Sequence, residues 1–291
     1  MQVYLNGSFI DSTHAAVSVD DRGFLFADGV YEVIRAYPGG LRLPERHLER
    51  LRTGLAALRI DAAAADGALD VADRLLETNG LRGTDSIVYI QVTRGAAPRR
   101  HAFPPAGTVP TLYIATRPSA LIPEERYGQG CAAITLPDTR WSRCDIKSIA
   151  LLPNVLANQA AHEAGAFEAL FIRDGIVIEG SHANVFAVRD GALLTAPPSS
   201  YILNGITRTF ILELAAELGI ASAETGLPHE ALYDVDELFL TGTTAEVLGI
   251  ASVDGRRIGS GRTGPITRRL LEAFRDRLPG QDEGTRREAA G

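Results

Sequence analysis

Lys147 lies in Arg140-Trp141-Ser142-Arg143-Cys144-Asp145-Ile146-Lys147-Ser148, just past a segment that alternates like a strand, with Ile146 and Ile149 on either side. Apolar flanks should leave its amine partly desolvated, and such an amine can form a Schiff base with a carbonyl compound. On position alone it could equally be a surface lysine at a strand end. Glu179 closes the apolar run Ile176-Val177-Ile178 and precedes Gly180-Ser181. A carboxylate there is placed either to bind a ligand or to solvate a turn. Gly205-Ile206-Thr207-Arg208 opens a helix after a loop, so its free backbone N–H groups and the Thr207 hydroxyl could hold a phosphate. Thr241-Gly242-Thr243-Thr244 offers a second set of hydroxyls and amides, and Arg50 could supply charge. Ordinary capped helices carry similar residues. The loop Arg94-Gly95-Ala96-Ala97-Pro98-Arg99-Arg100-His101 has cationic side chains that could take a carboxylate through charge-assisted hydrogen bonds, or could simply be solvated.

The elements that must position these groups are legible in part. Val3-Tyr4-Leu5, the turn pair Asn6-Gly7 and Ser8-Phe9-Ile10 read as a hairpin, and Tyr31 to Tyr37 turns at Pro38-Gly39-Gly40 into Leu41-Arg42-Leu43. Pro44 suits the first turn of a helix, and Leu48, Leu51, Leu55 and Leu58 recur at helical spacing. His47 and Arg50 share one side of that helix. A second helix should run from about Gly67 to Asn79 and stop at Gly80. Residues 86–93 and 111–116 alternate like strands. Further on, a strand is expected at 131–136, helices at 154–164, 205–218 and 265–278, a strand at 237–240, and Asp-Gly turns at Asp174, Asp190 and Asp254. Strands joined mainly by hairpins, with helices between blocks, favour an α+β or barrel-like sheet over a dinucleotide-binding domain.

The chain has 291 residues, a net charge of −7, 45% hydrophobic and 22% charged residues. At roughly 100 to 200 residues per domain, two domains are expected. The two-proline stretch from Arg117 to Pro123 is the best linker, giving a small domain over 1–117, a linker over 118–123, a large domain over 124–280 and a polar, disordered tail over 281–291. The acidic balance and scattered basic residues argue against nucleic acid. No early apolar run reads as a secretory leader and no window reaches roughly 18 uninterrupted apolar residues, so no membrane partner is expected. Cys131 and Cys144 are too few and too far apart for a disulfide framework or a metal site. A cytoplasmic location follows as an expectation. The absence of a Walker loop, Gly-x-Gly-x-x-Gly, His-Glu-x-x-His and Gly-x-Ser-x-Gly argues against nucleotide hydrolysis, simple dehydrogenation, zincin and α/β-hydrolase chemistry.

Taken together, the chain resembles the class IV, or fold type IV, pyridoxal-phosphate aminotransferases. The matching stretches are Asp21 through Val33, Gln91 through Gly95 with Pro98-Arg99-Arg100-His101, Arg140 through Ser148, Glu179-Gly180-Ser181 with Ala183-Asn184-Val185-Phe186, Leu203 through Arg208, and Asp236-Glu237-Leu238-Phe239. The resemblance implies a two-domain α+β fold, with a small N-terminal α/β sandwich and a larger C-terminal pseudo-barrel with helices. It implies that Lys147 carries pyridoxal 5'-phosphate and shuttles a proton, and that Glu179 pairs with the cofactor's ring nitrogen. Arg50, Ile206, Thr207, Gly242 and Thr243 would hold the phosphate, with Glu32 and His47 behind them.

For the substrate, the resemblance implies contacts from Tyr31, Val33, Ser181, His182 and Thr244. In the D-amino-acid branch a tyrosine and an Arg-x-His pair from the partner subunit take the substrate carboxylate, and this chain supplies Tyr31, Arg99 and His101. Transfer of an amino group between a D-amino acid and a 2-oxo acid, by a homodimer, is therefore expected. An (R)-amine or L-branched-chain aminotransferase and an aminodeoxychorismate lyase are the alternatives. Three residues depart from the family pattern. His182 is bulkier than the serine expected near the substrate, Gly242 stands where a serine is expected at the phosphate, and Arg100 adds charge to the trap.

Overall fold

The computed structural model describes residues 1–280; the tail expected to be disordered lies outside the described residues. Packing divides the chain into two compact units. The first comprises Met1–Ser119, Ile146–Ala150 and the described residues from Leu278. The second comprises Ala120–Asp145 and Leu151–Arg277.

In the first unit β1 (Gln2–Leu5), β2 (Ser8–Asp11), α1 (Arg22–Phe26), β3 (Gly29–Tyr37), β4 (Gly40–Leu41), α2 (Pro44–Ala57), α3 (Ala68–Thr78), β5 (Ser86–Thr93) and β6 (Thr111–Pro118) follow in order. The strands form one antiparallel sheet in the order β2-β1-β6-β5-β3-β4. Because side chains alternate across a strand, Val30, Glu32 and Ile34 share a face of β3. On that face α2 and α3 bury Leu48, Leu51, Leu55, Ala72 and Leu75 against Val30, Ile34, Val88, Ile90 and Ile114. Gly54 lets α2 come close, since a Cβ there would sit 3.1 Å from Val30.

The second unit holds α4 (Glu124–Gln129), β7 (Cys131–Pro137), α5 (Leu152–Glu163), β8 (Glu168–Arg173), β9 (Ile176–Gly180), β10 (Asn184–Arg189), β11 (Ala192–Thr195), α6 (Ile206–Glu217), β12 (Ser222–Glu224), β13 (Leu227–Pro228), β14 (Glu237–Gly242), β15 (Glu246–Val253), β16 (Arg256–Arg257) and α7 (Pro265–Arg275). One mixed sheet runs β12-β11-β10-β14-β15-β7-β8-β9-β13, with β16 on β15. The Asp-Gly turns expected after Arg173, Arg189 and Val253 form as read, with both central residues at positive φ, from 50° at Asp254 to 77° at Gly191. Phe186 and Phe239 stack across paired strands at 5.1 Å and centre the core.

Several elements depart from the sequence reading. α5 begins at Leu152 rather than Asn154, because Pro153 fits its first turn. β6 runs on to Pro118, α4 follows at Glu124, and α1 and β15 had no expected counterpart. The expected large domain over 124–280 is interrupted, since Ile146–Ala150 packs with the first unit. Tyr31 N donates to Lys147 O at 3.0 Å, Ile149 N donates to Gly29 O at 3.1 Å, and Ile146 joins the core under α2. Backbone hydrogen bonds to β3 thus fasten the lysine segment to the sheet.

Candidate active site

In the first unit the pleat of β3 turns a carboxylate into an apolar core. Glu32 is fully buried, and α2 answers it with His47 and Arg50, one turn apart on the facing side. Arg50 grips it in two places, Nε to Oε1 at 2.7 Å and Nη2 to Oε2 at 2.9 Å, and His47 Nδ1 lies 2.8 Å from Oε2. Burial alone would raise the Glu32 carboxyl, but the Arg50 charge and hydrogen bonds, His47 and the Lys147 charge bring it down to about 2. Burial also holds the His47 imidazole below its ordinary value, against the opposing pull of Glu32. Lys147 Nζ sits over the Tyr31 ring at 4.4 Å, and Tyr31 stacks on Tyr89 at 5.7 Å. Tyr31, Glu32, His47, Arg50 and Lys147 are therefore one group, with Val33 two residues beyond Tyr31 on the same face of β3.

Arg99 and His101 lie in the same unit, on the exposed loop that follows β5. The Arg99 guanidinium lies 5.1 Å from the Phe26 ring centre, and the His101 ring 5.6 Å from it.

The second unit gathers the remaining residues around Asn184. Glu179, at the end of β9, is buried and accepts from Arg140 Nη1 at 2.5 Å, from Asn184 Nδ2 at 3.0 Å and from the Leu203 N–H at 3.1 Å. Burial lifts the Glu179 carboxyl to about 7, and Arg140 opposes that rise. Arg140 is itself held by Asp138, whose fully buried carboxylate also takes Arg173 at 3.0 Å. Asn184 spends its amide on Glu179 and on Leu203 O at 2.9 Å, so it ties the end of β9 to the loop that starts α6. Gly205 caps that helix with no side-chain hydrogen bond. A Cβ at Gly205 would strike Asn184 Oδ1, so only glycine allows this approach. Thr241 pairs with Asn184 across β14 and β10, and Gly242, Thr243 and Thr244 lead from it into the turn before β15. Gly242 has room, because a Cβ there would meet nothing closer than 3.7 Å.

Ser181 and His182 turn out to be held by a group the sequence did not announce. Glu168, fully buried at the start of β8, accepts from the N–H and hydroxyl of Ser181 and lies 2.9 Å from His182 Nδ1. Burial pushes the Glu168 carboxyl up, but His182 and then Ser181 outweigh it and keep the group below its ordinary value. Asn154 of α5 donates to Ser181 O at 2.7 Å. His182 is thus fixed by a buried anion as well as being bulky. Arg140, Asp138, Asn184 and Glu168 have no local signature, and only the matching stretches around Arg140 and Asn184 hinted at two of them.

These residues fit pyridoxal phosphate. A carboxylate offers about four acceptor sites, and three donors occupy those of Glu179, leaving one for a ring N–H. Its raised carboxyl is stabilised as an anion by one more positive partner. The uncapped start of α6 offers backbone N–H groups to a phosphate. Among the described residues no group of three or more His, Cys, Asp or Glu could hold a metal ion.

The Amino-transferase class IV family model matches residues 29–253. D-alanine aminotransferase of Bacillus licheniformis is 42% identical over 96% of this chain and 97% of its own length. D-alanine aminotransferase of Staphylococcus haemolyticus is 41% identical over 94% and 96%. Among solved structures, branched-chain amino acid aminotransferase of Escherichia coli superposes with a TM-score of 0.88 at 30% identity, covering 96% of this chain and 95% of that one. A branched-chain amino acid aminotransferase from T.th., solved with pyridoxamine 5'-phosphate, gives 0.86 at 28% identity, covering 96% and 94%.

Proposed function

The chain belongs to the class IV aminotransferases, enzymes that use pyridoxal phosphate to exchange amino groups between amino and 2-oxo acids, and we propose that its amino donor is a D-amino acid such as D-alanine or D-glutamate. The observation that carries the D-specific reading is the Arg99 and His101 pair on one loop, in a chain 42% identical to a D-alanine aminotransferase. Pyruvate or 2-oxoglutarate would accept the amino group in the second half of a ping-pong cycle.

The roles follow from the chemistry of each side chain. When bound, the cofactor supplies an electron sink for negative charge at the substrate α-carbon. Lys147 Nζ would hold the cofactor and, only when its amine is free, would take and return the α-proton as general base and acid. The Tyr31 ring, 4.4 Å from Nζ, helps fix where the amine sits. Glu179 keeps a proton on the ring nitrogen, and Arg140, Asn184 and the Leu203 N–H fix its carboxylate for that task. For the phosphate, the proposed charge in the first unit is Arg50, its side chain set by Glu32 and His47, and the proposed donors in the second unit are Ile206, Thr207 and Thr243. Tyr31, Arg99 and His101 take the substrate carboxylate, while Val33, Ser181, His182 and Thr244 shape the space for its side chain.

A symmetric homodimer is part of the same proposal. Leu152, Val155 and Leu156, one face of α5, are 58 to 68% exposed. Apolar side chains grouped in this way support a second copy covering them. No helix among the described residues is long and apolar enough to cross a membrane. Two free, buried cysteines suit the reducing cytoplasm.

The test is the visible spectrum of the cofactor-loaded protein with D-alanine and, separately, with L-leucine. Loss of the yellow band with D-alanine alone supports this reading. Loss with L-leucine alone assigns the enzyme to the branched-chain group, in line with the solved structures it superposes on. Pyruvate release without an acceptor 2-oxo acid would mark a lyase.

A further inference from the structure

Arg99 and His101 are exposed residues on an exposed loop, yet a carboxylate trap requires both side chains held in place. The loop is clamped at its two ends and in its middle. At its start, Arg94 is buried, pairs with both oxygens of Asp28 at 2.8 and 2.9 Å, and donates to Leu58 O and Arg59 O. At its far end, the Phe103 ring lies against the Arg94 guanidinium at 3.8 Å and that of Arg59 at 4.8 Å. In the middle, buried Arg22 shares Asp28 and donates to Arg100 O at 2.6 Å, the carbonyl between the two trap residues.

The same short helix that carries Arg22 also presents a ring to the trap. Phe26 closes α1, with the Arg22 guanidinium 4.9 Å, the Arg99 guanidinium 5.1 Å and the His101 ring 5.6 Å from its ring centre. The helix is itself immobilised. Buried Asp21 caps it at Gly23 N and takes the hydroxyls of Thr93 and Thr111, and a Cβ at Gly23 would strike Thr93. Arg22 N donates to Gly95 O, and Ala97 N donates to Asp20 O.

Resting on the D-amino-acid reading above, we propose that Phe26 is a positioning residue for substrate recognition: its ring is the platform that orients Arg99 and His101 toward the substrate carboxylate, on a backbone that Arg22 fixes at Arg100. A guanidinium lying over an aromatic face is attracted by the ring quadrupole and loses fewer rotamers on binding an anion. Phe26 therefore acts on the binding of carboxylate-bearing substrates and leaves proton transfer at Lys147 alone.

The test compares the cofactor-loaded enzymes Phe26→Leu, Phe26→Met, Phe26→Tyr and Arg99→Leu with D-alanine. Phe26→Leu should raise KM about tenfold with kcat changed less than about twofold and the cofactor spectrum intact. Phe26→Met keeps the bulk without the π face and should show the same split, and it stands in if the leucine variant does not fold. Phe26→Tyr restores the ring and should bring KM back to near the wild-type value. In the double variant of Phe26→Leu with Arg99→Leu, the rise in KM should fall short of the product of the single effects, because one residue works partly through the other. An unchanged KM in Phe26→Leu and Phe26→Met, alongside a raised KM in Arg99→Leu, overturns the positioning role while the trap stands. Parallel losses of kcat and cofactor absorbance in those variants, or fully multiplicative effects, also overturn it. An unchanged KM in Arg99→Leu removes the trap itself.

Discussion

Replacing Glu32 by Gln tests whether the buried charge under β3 organises the first half of the site. The side chain is fully buried and its carboxyl is brought from 4.5 to about 2. A shift of this size corresponds to about 3 kcal/mol of stability at neutral pH. A second route gives a similar figure, since removing one member of a buried ion pair costs roughly 3 to 5 kcal/mol. The contribution has a defined sign with pH. A depressed carboxyl stabilises the fold fully above its unfolded value, and the gain is lost as pH falls through 4.5 toward 2. Urea unfolding of the cofactor-free wild type and variant should therefore differ by about 3 kcal/mol near pH 7 and by about half that near pH 3. Cofactor affinity should fall with it, by about tenfold, because Arg50 loses its two-point anchor. A stability gap below about 1 kcal/mol near pH 7, or one that is the same at both pH values, would refute the charge argument.

Lys147→Ala should abolish turnover and the visible absorbance of the loaded protein; turnover at the wild-type rate would remove the lysine from the chemistry. Glu179→Gln should slow proton abstraction by about a hundredfold or more with little change in KM, measured by single-turnover spectroscopy, and an unaffected rate would undo the role given to its carboxylate. Gly242→Ser should be accommodated, because the open space at Gly242 takes a side chain. A hydroxyl there should tighten the cofactor up to about tenfold in equilibrium dialysis, and weaker binding would place the phosphate elsewhere.

What the sequence disclosed was mostly local. The Asp-Gly turns were legible because a two-residue hairpin needs two positive φ values, and Asp174-Gly175 and Asp190-Gly191 supply them. α2 was legible from its leucine spacing, and with it the shared side of His47 and Arg50. β15 was hidden, since its run from Glu246 to Val253 includes Gly249, which is needed where Thr263 comes close, and lacks clean alternation. α1 was too short for periodicity and is held by Asp21, Thr93 and Thr111, partners up to ninety residues apart. Shorter separations also concealed Arg140 with Glu179, 39 residues apart, and Glu168 with Ser181, 13 apart, while Asp138 and Arg140, only two apart, carry no pattern that marks them as a pair. Lys147 and Glu179 were recognised through family resemblance, because a lysine or a glutamate at a strand end has many uses.

The fastening of Ile146–Ala150 to β3 bears on how the chain is made. A ribosome that has released Ser119 has delivered six paired strands and three α-helices, but the backbone groups of Gly29 and Tyr31 that meet Ile149 and Lys147 still lack those partners. They are completed only once Ala150 has emerged, and the contact of Gly39 with Pro279 waits for nearly the whole chain. Pairings so distant in sequence form slowly. The nascent first unit thus exposes an incomplete edge during synthesis, and the segment that completes it is the one that brings the lysine. Arrival of the reactive amine and closure of this edge of β3 are a single event.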